Sequence, residues 1–124
     1  MNAKKSAGLS FEDVRRLALA LPSVEDGTSY GTPALKLRGK LFLRLREDGE
    51  TLVVPADNAA REYWMQVNPE TFFITDHYVG YDRLLVRLPA VRETALKVII
   101  ETGWRRIAPA KLLAQHPTIG EPRP

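Results

Sequence analysis

Residues 35–46 read LKLRGKLFLRLR, so that apolar and basic side chains alternate on both sides of Gly39. Successive side chains of a β-strand point to opposite faces, so this alternation predicts two strands with one apolar and one cationic face. The side chains expected to face a core are Leu35, Leu37, Leu41, Leu43 and Leu45. Those expected on the opposite, open face are Lys36, Arg38, Phe42, Arg44 and Arg46. No acidic residue occurs from 27 to 46, which favours a local positive field.

Further elements are predicted on both sides of this hairpin, whose turn is expected at Gly39-Lys40. Ser10, with Asp13 three residues later, is typical of a helix start, and the amphipathic pattern that follows ends before Pro22. Residues 22–33 are rich in Pro, Ser, Gly and Thr, which indicates a long connection. The later elements are an Asp48-Gly49 turn, a strand over 51–54, a helix from Asp57 to about Gln66, strands over 71–75 and 84–88, a helix from Pro89 or Ala90 to a stop at Gly103, and a short helix around 111–114.

These elements predict the fold class. Strands grouped in hairpins favour a two-layer α+β fold, with an antiparallel five-stranded sheet, helices on one face and the order α-β(3)-α-β(2)-α. The 124 residues, 44% of them hydrophobic, suffice for one domain. We expect that domain at 9–115, with a flexible N-terminus at 1–8 and a Pro-rich tail at 116–124.

Composition excludes several classes of function. The chain has no cysteine, and its 18 basic and 15 acidic residues leave a net charge of only +3. With no signal peptide and no long apolar run, we expect a cytoplasmic protein without a membrane partner.

Gly27-x-Ser29-x-Gly31 matches a hydrolase motif, but that motif needs a strand before the serine and a helix after it. A strand is predicted after this serine, which argues against the hydrolase motif. The spacing of Asp76, His77 and Asp82 is not a recognised ligand pattern, and no other catalytic constellation stands out. We therefore expect no enzyme, no metal site and no cofactor.

Two groups of residues remain as candidate sites. The first is the cationic face, which Arg87 joins if Leu84, Val86 and Leu88 face the core. The second is the loop 76–82, which brings His77 and Tyr81 together with two aspartates. Such residues suit a small ligand or partner, and Tyr30 in the segment 25–31 is the third member of this group.

The segment LPSVEDGTSYGTPALKLRGKLF at 21–42 resembles the signature of the YjbR family, also called MmcQ-like. The segment 76–82 and the Trp104-Arg105 region are similar to family positions as well, so the resemblance extends from Leu9 to about Leu113. It implies an α-β(3)-α-β(2)-α fold like that of secretion-chaperone domains. Members of this family are commonly described as double-wing DNA-binding proteins, which implies DNA as a partner.

Three functions follow as alternatives. The first is DNA binding with little sequence preference, through Lys36, Arg38, Lys40, Arg44, Arg46 and Arg87. The second is a homodimer or protein-interaction module that uses Phe42 and Leu85 of the open face. The third is a small-ligand site formed by Tyr30, His77 and Tyr81, which requires the segments 25–31 and 76–82 to converge on a pocket.

Overall fold

Six antiparallel strands form one sheet in the computed structural model of the chain, which describes residues 8–121. The strands are β1 (Val24–Ser29), β2 (Thr32–Leu37), β3 (Lys40–Leu45), β4 (Thr51–Pro55), β5 (Phe72–Phe73) and β6 (Arg83–Arg87). Their order across the sheet is β1-β2-β3-β4-β6-β5, and all neighbouring pairs are antiparallel. The predicted α+β class and antiparallel sheet are confirmed, with one strand more than expected.

Helices pack on one face of this sheet. They are α1 (Phe11–Leu19), α2 (Asn58–Val67), α3 (Glu93–Ile107) and α4 (Ala110–Gln115), and a 3-10 turn spans Asp76–Tyr78. The core joins Val14 of α1, Leu96 and Trp104 of α3 and Leu112 of α4 to the inner side chains of the sheet. Two predicted caps are present: Asp13 accepts from the Ser10 amide at 2.9 Å, and Asp57 accepts from the Ala60 amide at 2.9 Å.

The additional strand is β1, which lies in the segment predicted as a long connection. It pairs with β2 along its whole length, from Val24 opposite Leu37 to Ser29 opposite Thr32. As an edge strand, β1 is held by backbone hydrogen bonds to β2 rather than by an apolar face. Its sequence is therefore polar and lacks the apolar alternation by which a strand is predicted. The Gly27-x-Ser29-x-Gly31 motif therefore lies in a hairpin between antiparallel strands.

A β-bulge at Phe42 changes which side chains of β3 face the core. Leu43 lies opposite Leu35, but Leu41 lies opposite Lys36, so Phe42 is the extra residue on β3. Phe42 is therefore buried in the core, with 1% of its surface exposed, whereas Leu41 shares the open face with Lys36. The prediction that Phe42 lies on the open face and Leu41 in the core is wrong. The burial of the remaining leucines is confirmed for Leu35, Leu37, Leu43 and Leu45.

Gly103 lies inside α3 and does not end it, contrary to prediction. A Cβ added at this position would lie 3.1 Å from Cδ of Pro55 and 3.3 Å from its carbonyl oxygen. The glycine thus serves a close approach between α3 and β4. Two predicted bounds also change: α3 begins at Glu93, and β5 is only two residues long.

The ends of the chain are described in part. Residues 122–124 lie outside the described residues, and so do residues 1–7, which are almost all of the predicted flexible N-terminus at 1–8. Residues 116–121 of the predicted tail pack back on α3. Arg105 donates to the carbonyl oxygen of Pro117 at 2.8 Å, and Ile119 contacts the core.

Asp48 organises the turn between β3 and β4. Its carboxylate accepts from the backbone amides of Glu50 and Thr51, both at 2.9 Å, and from the Thr51 hydroxyl at 2.6 Å. Burial alone would raise the pKa of Asp48, but these hydrogen bonds outweigh it and hold the pKa below its usual range. The ionised form therefore stabilises the turn.

Replacing the bulge residue and its neighbour tests the register of β3. Phe42→Ala removes a buried ring and is expected to lower the free energy of unfolding by about 3–5 kcal/mol. Leu41→Ala removes a half-buried side chain and is expected to cost less than about 1.5 kcal/mol. Urea denaturation measures both values, and a larger loss for Leu41→Ala would contradict the bulge.

Acid is expected to weaken the turn at Asp48. Because the pKa of this carboxyl is lowered by folding, its contribution is present above the usual value of about 3.9 and is lost as pH falls below it. Asp48→Asn cannot ionise, so the difference in stability between the wild type and this variant should be constant above about pH 5 and shrink towards pH 2. Thermal unfolding across this range measures it, and a difference that grows in acid would overturn the assignment.

Candidate functional site

The open face, which is the sheet face opposite the helices, carries a row of side chains that crosses five strands. Paired positions share a face, so the register places Ala34, Arg44, Val53, Leu85 and Phe73 side by side. Arg46, two residues after Arg44, lies in a second row on the same face. Its backbone amide donates to the Thr51 carbonyl at 2.8 Å, and Thr51 lies opposite Arg87. Arg46 and Arg87 thus flank Thr51, about 10 Å apart across two strand spacings.

The other predicted cations lie elsewhere on the sheet. Arg38 and Lys40 flank Gly39 at the β2–β3 turn, roughly 20 Å along β3 from Arg46. Lys36 lies opposite Glu25 of β1, and its aliphatic stem covers Gly27. The six cations therefore do not form one continuous patch.

Arg44 is largely shielded from solvent. Its side chain is only 11% exposed, and its guanidinium lies 5.4 Å from the centre of the Tyr30 ring. It contacts Glu47 at 3.4 Å and donates to the Thr32 hydroxyl at 3.4 Å. The backbone of Glu47 and the charges of Arg44 and Arg46 hold the pKa of the Glu47 carboxyl below its usual range, so Arg44 has an ionised partner.

Arg87 is exposed and held in place. Its guanidinium lies 4.0 Å from the centre of the Phe73 ring, and its Nε donates to the backbone carbonyl of Glu70 at 3.0 Å. Within residues 8–121, Arg44 is the one predicted cation with a carboxylate within 4 Å. The other five have no such close partner there, although the charge of Arg46 acts on the nearby carboxylates of Glu47 and Asp48.

The open face offers no apolar contact through Phe42 or Leu85. Phe42 lies in the core, and Leu85 is on the open face but completely buried. Val53, the cross-strand neighbour of Leu85, lines a cleft with His77 and Tyr78. The segment 76–82 therefore folds over the β4–β6 part of this face. The surface expected for a dimer or protein partner is not formed by these two residues.

Tyr30, His77 and Tyr81 line one cleft of about 690 Å³, called here the aromatic cleft. Tyr30 comes from the β1–β2 turn, and the other two come from the segment 76–82. Leu41 and Val53 supply apolar surface, and the charged side chains at the cleft are Arg44, Asp82 and Arg83. The two segments converge on a pocket, as the ligand-site alternative requires.

The aromatic side chains of this cleft are exposed. Tyr30 is 86% exposed and Tyr81 is 61% exposed. The His77 ring lies 6.2 Å from the Tyr81 ring and 5.1 Å from the Tyr78 ring. Tyr30 has φ of +54°, a left-handed conformation that is rare for a bulky side chain and that the two-residue hairpin turn imposes.

Arg83 is a cleft cation that sequence reasoning missed. Burial and the nearby charge of Arg106 lower the pKa of its guanidinium. The charge of Asp82 offsets this only in part, because its carboxylate is in direct contact with the Arg106 guanidinium, and Arg83 donates to the Asp82 backbone carbonyl at 3.0 Å. Arg83 thus holds a positive charge in a partly desolvated position.

Arg61 holds the wall of the aromatic cleft. This buried arginine of α2 donates to the carbonyl oxygens of Tyr78 at 3.0 Å, Val79 at 3.3 Å and Tyr81, and to the Asn58 side chain at 2.8 Å. Arg61 was not predicted as a site residue either, although its spacing to apolar residues of the same helix indicates that it lies on the buried face. Arg61 lies three and four residues before Trp64 and Met65, which pack against the core.

Two other kinds of site are absent from the described part of the chain. No helix there is both long and apolar enough to cross a bilayer. Across residues 8–121, His, Asp and Glu side chains form no group of three or more that could hold a metal ion.

Replacing Arg61 tests its role in holding the segment 76–82. Arg61→Met leaves several carbonyl oxygens without a donor and is expected to destabilise the fold by about 2–4 kcal/mol. Hydrogen exchange at residues 76–83 should accelerate more than exchange in β2 and β3. Glu62→Met, an exposed change one residue away, is the control. Equal protection of the segment in both variants would show that Arg61 does not hold it.

Comparisons with known proteins give a match in structure alone. The sequence matches no family model, and no match is found among curated proteins. The fold is similar to that of the Deinococcus radiodurans protein DR2400, which contains a DUF419 domain, in its crystal structure. The TM-score is 0.70 at 11% sequence identity, over 95% of this chain and 94% of that one. This likeness shows the fold: an antiparallel sheet with helices packed on it.

Proposed function

We propose that the chain is a YjbR/MmcQ-like protein that binds DNA through cations of its sheet that have no carboxylate within 4 Å. Support for the family comes from the signature at 21–42 and from the fold shared with a DUF419 protein, since DUF419 is the YjbR/MmcQ-like family. The observation that carries DNA binding is the pair Arg46 and Arg87. Both lie on the open face with their Cα atoms about 10 Å apart; Arg87 is exposed and Arg46 is half-buried, and neither has a carboxylate within 4 Å among the described residues.

Phosphate contact is the chemistry that suits this pair. A guanidinium can donate two parallel hydrogen bonds to phosphate oxygens, and each contact releases a condensed counterion. Stacking on Phe73 and the hydrogen bond to Glu70 orient Arg87 before any ligand binds, which reduces the entropy lost on binding.

A second contact region lies at the other end of β3. Arg38 and Lys40 project from the β2–β3 turn, roughly 20 Å from Arg46. At 3.4 Å per base pair this distance corresponds to about six steps of a duplex. Arg44 lies between the two regions but is shielded by Tyr30 and paired with Glu47, so it is not counted among the DNA contacts.

Charge reversal tests the DNA interface. Arg46→Glu with Arg87→Glu should weaken binding to a 20-base-pair duplex for all sequences alike. The slope of log K against log salt concentration should fall in magnitude by about 1 for each phosphate that the protein no longer neutralises, hence by about 2. Fluorescence anisotropy between 20 and 200 mM salt measures both quantities.

The control variant is Lys97→Glu with Lys111→Glu, which changes the net charge equally on exposed positions of α3 and α4. It is expected to keep most of the wild-type salt slope. Wild-type protein that does not bind the duplex at 20 mM salt, or a loss of binding equal in the two double variants, would overturn the proposal.

A further inference from the structure

We propose that the aromatic cleft binds a planar aromatic ring that carries a phosphate, the chemistry of a nucleotide. The inference does not rest on DNA binding by Arg46 and Arg87, because neither of these residues lines the cleft. The nucleotide could be free or be one unit of a single strand, since ring and phosphate are the same in both.

Exposed aromatic side chains on both sides of the cleft favour a planar ligand. Tyr30 projects from the β1–β2 turn, while Tyr81 and His77 project from the segment 76–82. Most of the surface of Tyr30 and Tyr81 is open to solvent, although burial of such rings is favourable. A ring placed between the two segments would stack on these side chains as bases stack on aromatic residues of single-strand-binding proteins.

The backbone of Tyr30 is a second reason to assign a role to this side chain. Glycine, asparagine or aspartate is the usual first residue of a two-residue turn of this kind, in which both φ values are positive. Tyr30 has φ of +54° and Gly31 has φ of +79°. In this conformation the Tyr30 ring lies over the Arg44 guanidinium at 5.4 Å, and most of the residue still remains open to a ligand.

Arg83 supplies the charge that a phosphate needs. Arg83 is partly desolvated, and the neighbouring Asp82 carboxylate is occupied by Arg106. An anion in the cleft would therefore relieve an unfavourable charge. Arg44 lies beneath Tyr30 but is already paired with Glu47 at 3.4 Å, so Arg83 is the main phosphate contact. Cations in a partly buried cleft act on an anion more strongly than exposed ones do.

The size and surroundings of the cleft fit this ligand. Its volume of about 690 Å³ lies within the range of about 300–1,000 Å³ usual for small-molecule sites, and Leu41 and Val53 supply apolar surface. An adjoining cleft of about 440 Å³ shares Leu41 and Arg83 and adds Lys40 and Arg106. A further phosphate group would meet Lys40 there, since Arg106 is paired with Asp57 and Asp82.

Calorimetric titration with adenosine 5′-monophosphate tests the proposal, with adenosine and inorganic phosphate as probes of the two halves of the ligand. The nucleotide should bind at least tenfold more tightly than either probe. Tyr81→Ala and Arg83→Gln should each weaken its binding about tenfold or more, since one base stack or one charge-assisted contact has about this effect.

Tyr63→Ala is the matched control, because Tyr63 is 59% exposed on α2 and lies outside the cleft. It should bind the nucleotide as the wild type does, and thermal unfolding should show that all the variants fold. The Arg46→Glu, Arg87→Glu protein should also retain nucleotide binding, which separates this inference from the proposed DNA interface.

A second titration, with the oligonucleotide dA6, distinguishes the two sources of the nucleotide. Binding of the monophosphate that depends on Tyr81 and Arg83 supports a free nucleotide. Binding of dA6 alone with the same dependence supports a unit of a single strand. If neither ligand binds, or if Tyr81→Ala and Arg83→Gln bind both as the wild type does, the proposal is overturned.

Discussion

The buried guanidinium of Arg61 is the constraint on which the candidate site depends. A buried charge requires compensation, and Arg61 has no carboxylate within 4 Å among residues 8–121. Carbonyl oxygens of the segment 78–83 surround it instead. Because these carbonyls must point towards α2, the segment has to curve around Arg61. The side chains of this segment then cover part of the open face. The curvature of the segment places Tyr81 and His77 across the cleft from Tyr30.

A second constraint is the bulge at Phe42. Alternation predicts faces correctly only while each residue of a strand has one partner, and one additional residue reverses the parity. Leu41 and Phe42 are both apolar, so the sequence pattern is equally compatible with either of them in the core. The bulge buries the larger side chain in the core and moves Leu41 to the open face, where it lines the aromatic cleft.

The elements that could be predicted from sequence are those with local signals. Ser10 and Asp57 mark helix starts, and the Asp48-Gly49 turn and the leucines of β2 and β3 mark a hairpin and a core face. The strand β1 has only one strongly apolar residue, Val24, and depends on its partner, so it carries no local signal. Tyr30, His77 and Tyr81 were predicted as one group, but their meeting place depends on Arg61 and on contacts between distant segments.

The basic residues from Lys36 to Arg46 form a regular pattern in the sequence, but their side chains lie in different electrostatic surroundings. Arg44 and Arg46 are two residues apart on the same face and both are half-buried, but Arg44 alone of the two lies beneath Tyr30 and has a carboxylate within 4 Å in the described part of the chain. Salt screens exposed charges strongly and partly buried charges much less. Duplex binding also releases condensed counterions for the phosphates that are neutralised, so binding through Arg46 and Arg87 must depend steeply on ionic strength, whereas binding of one phosphate at Arg83 in the cleft depends more on direct contact and desolvation. The two proposed sites can thus be separated by salt alone, since a ligand of the aromatic cleft should persist at a salt concentration that releases a duplex from Arg46 and Arg87.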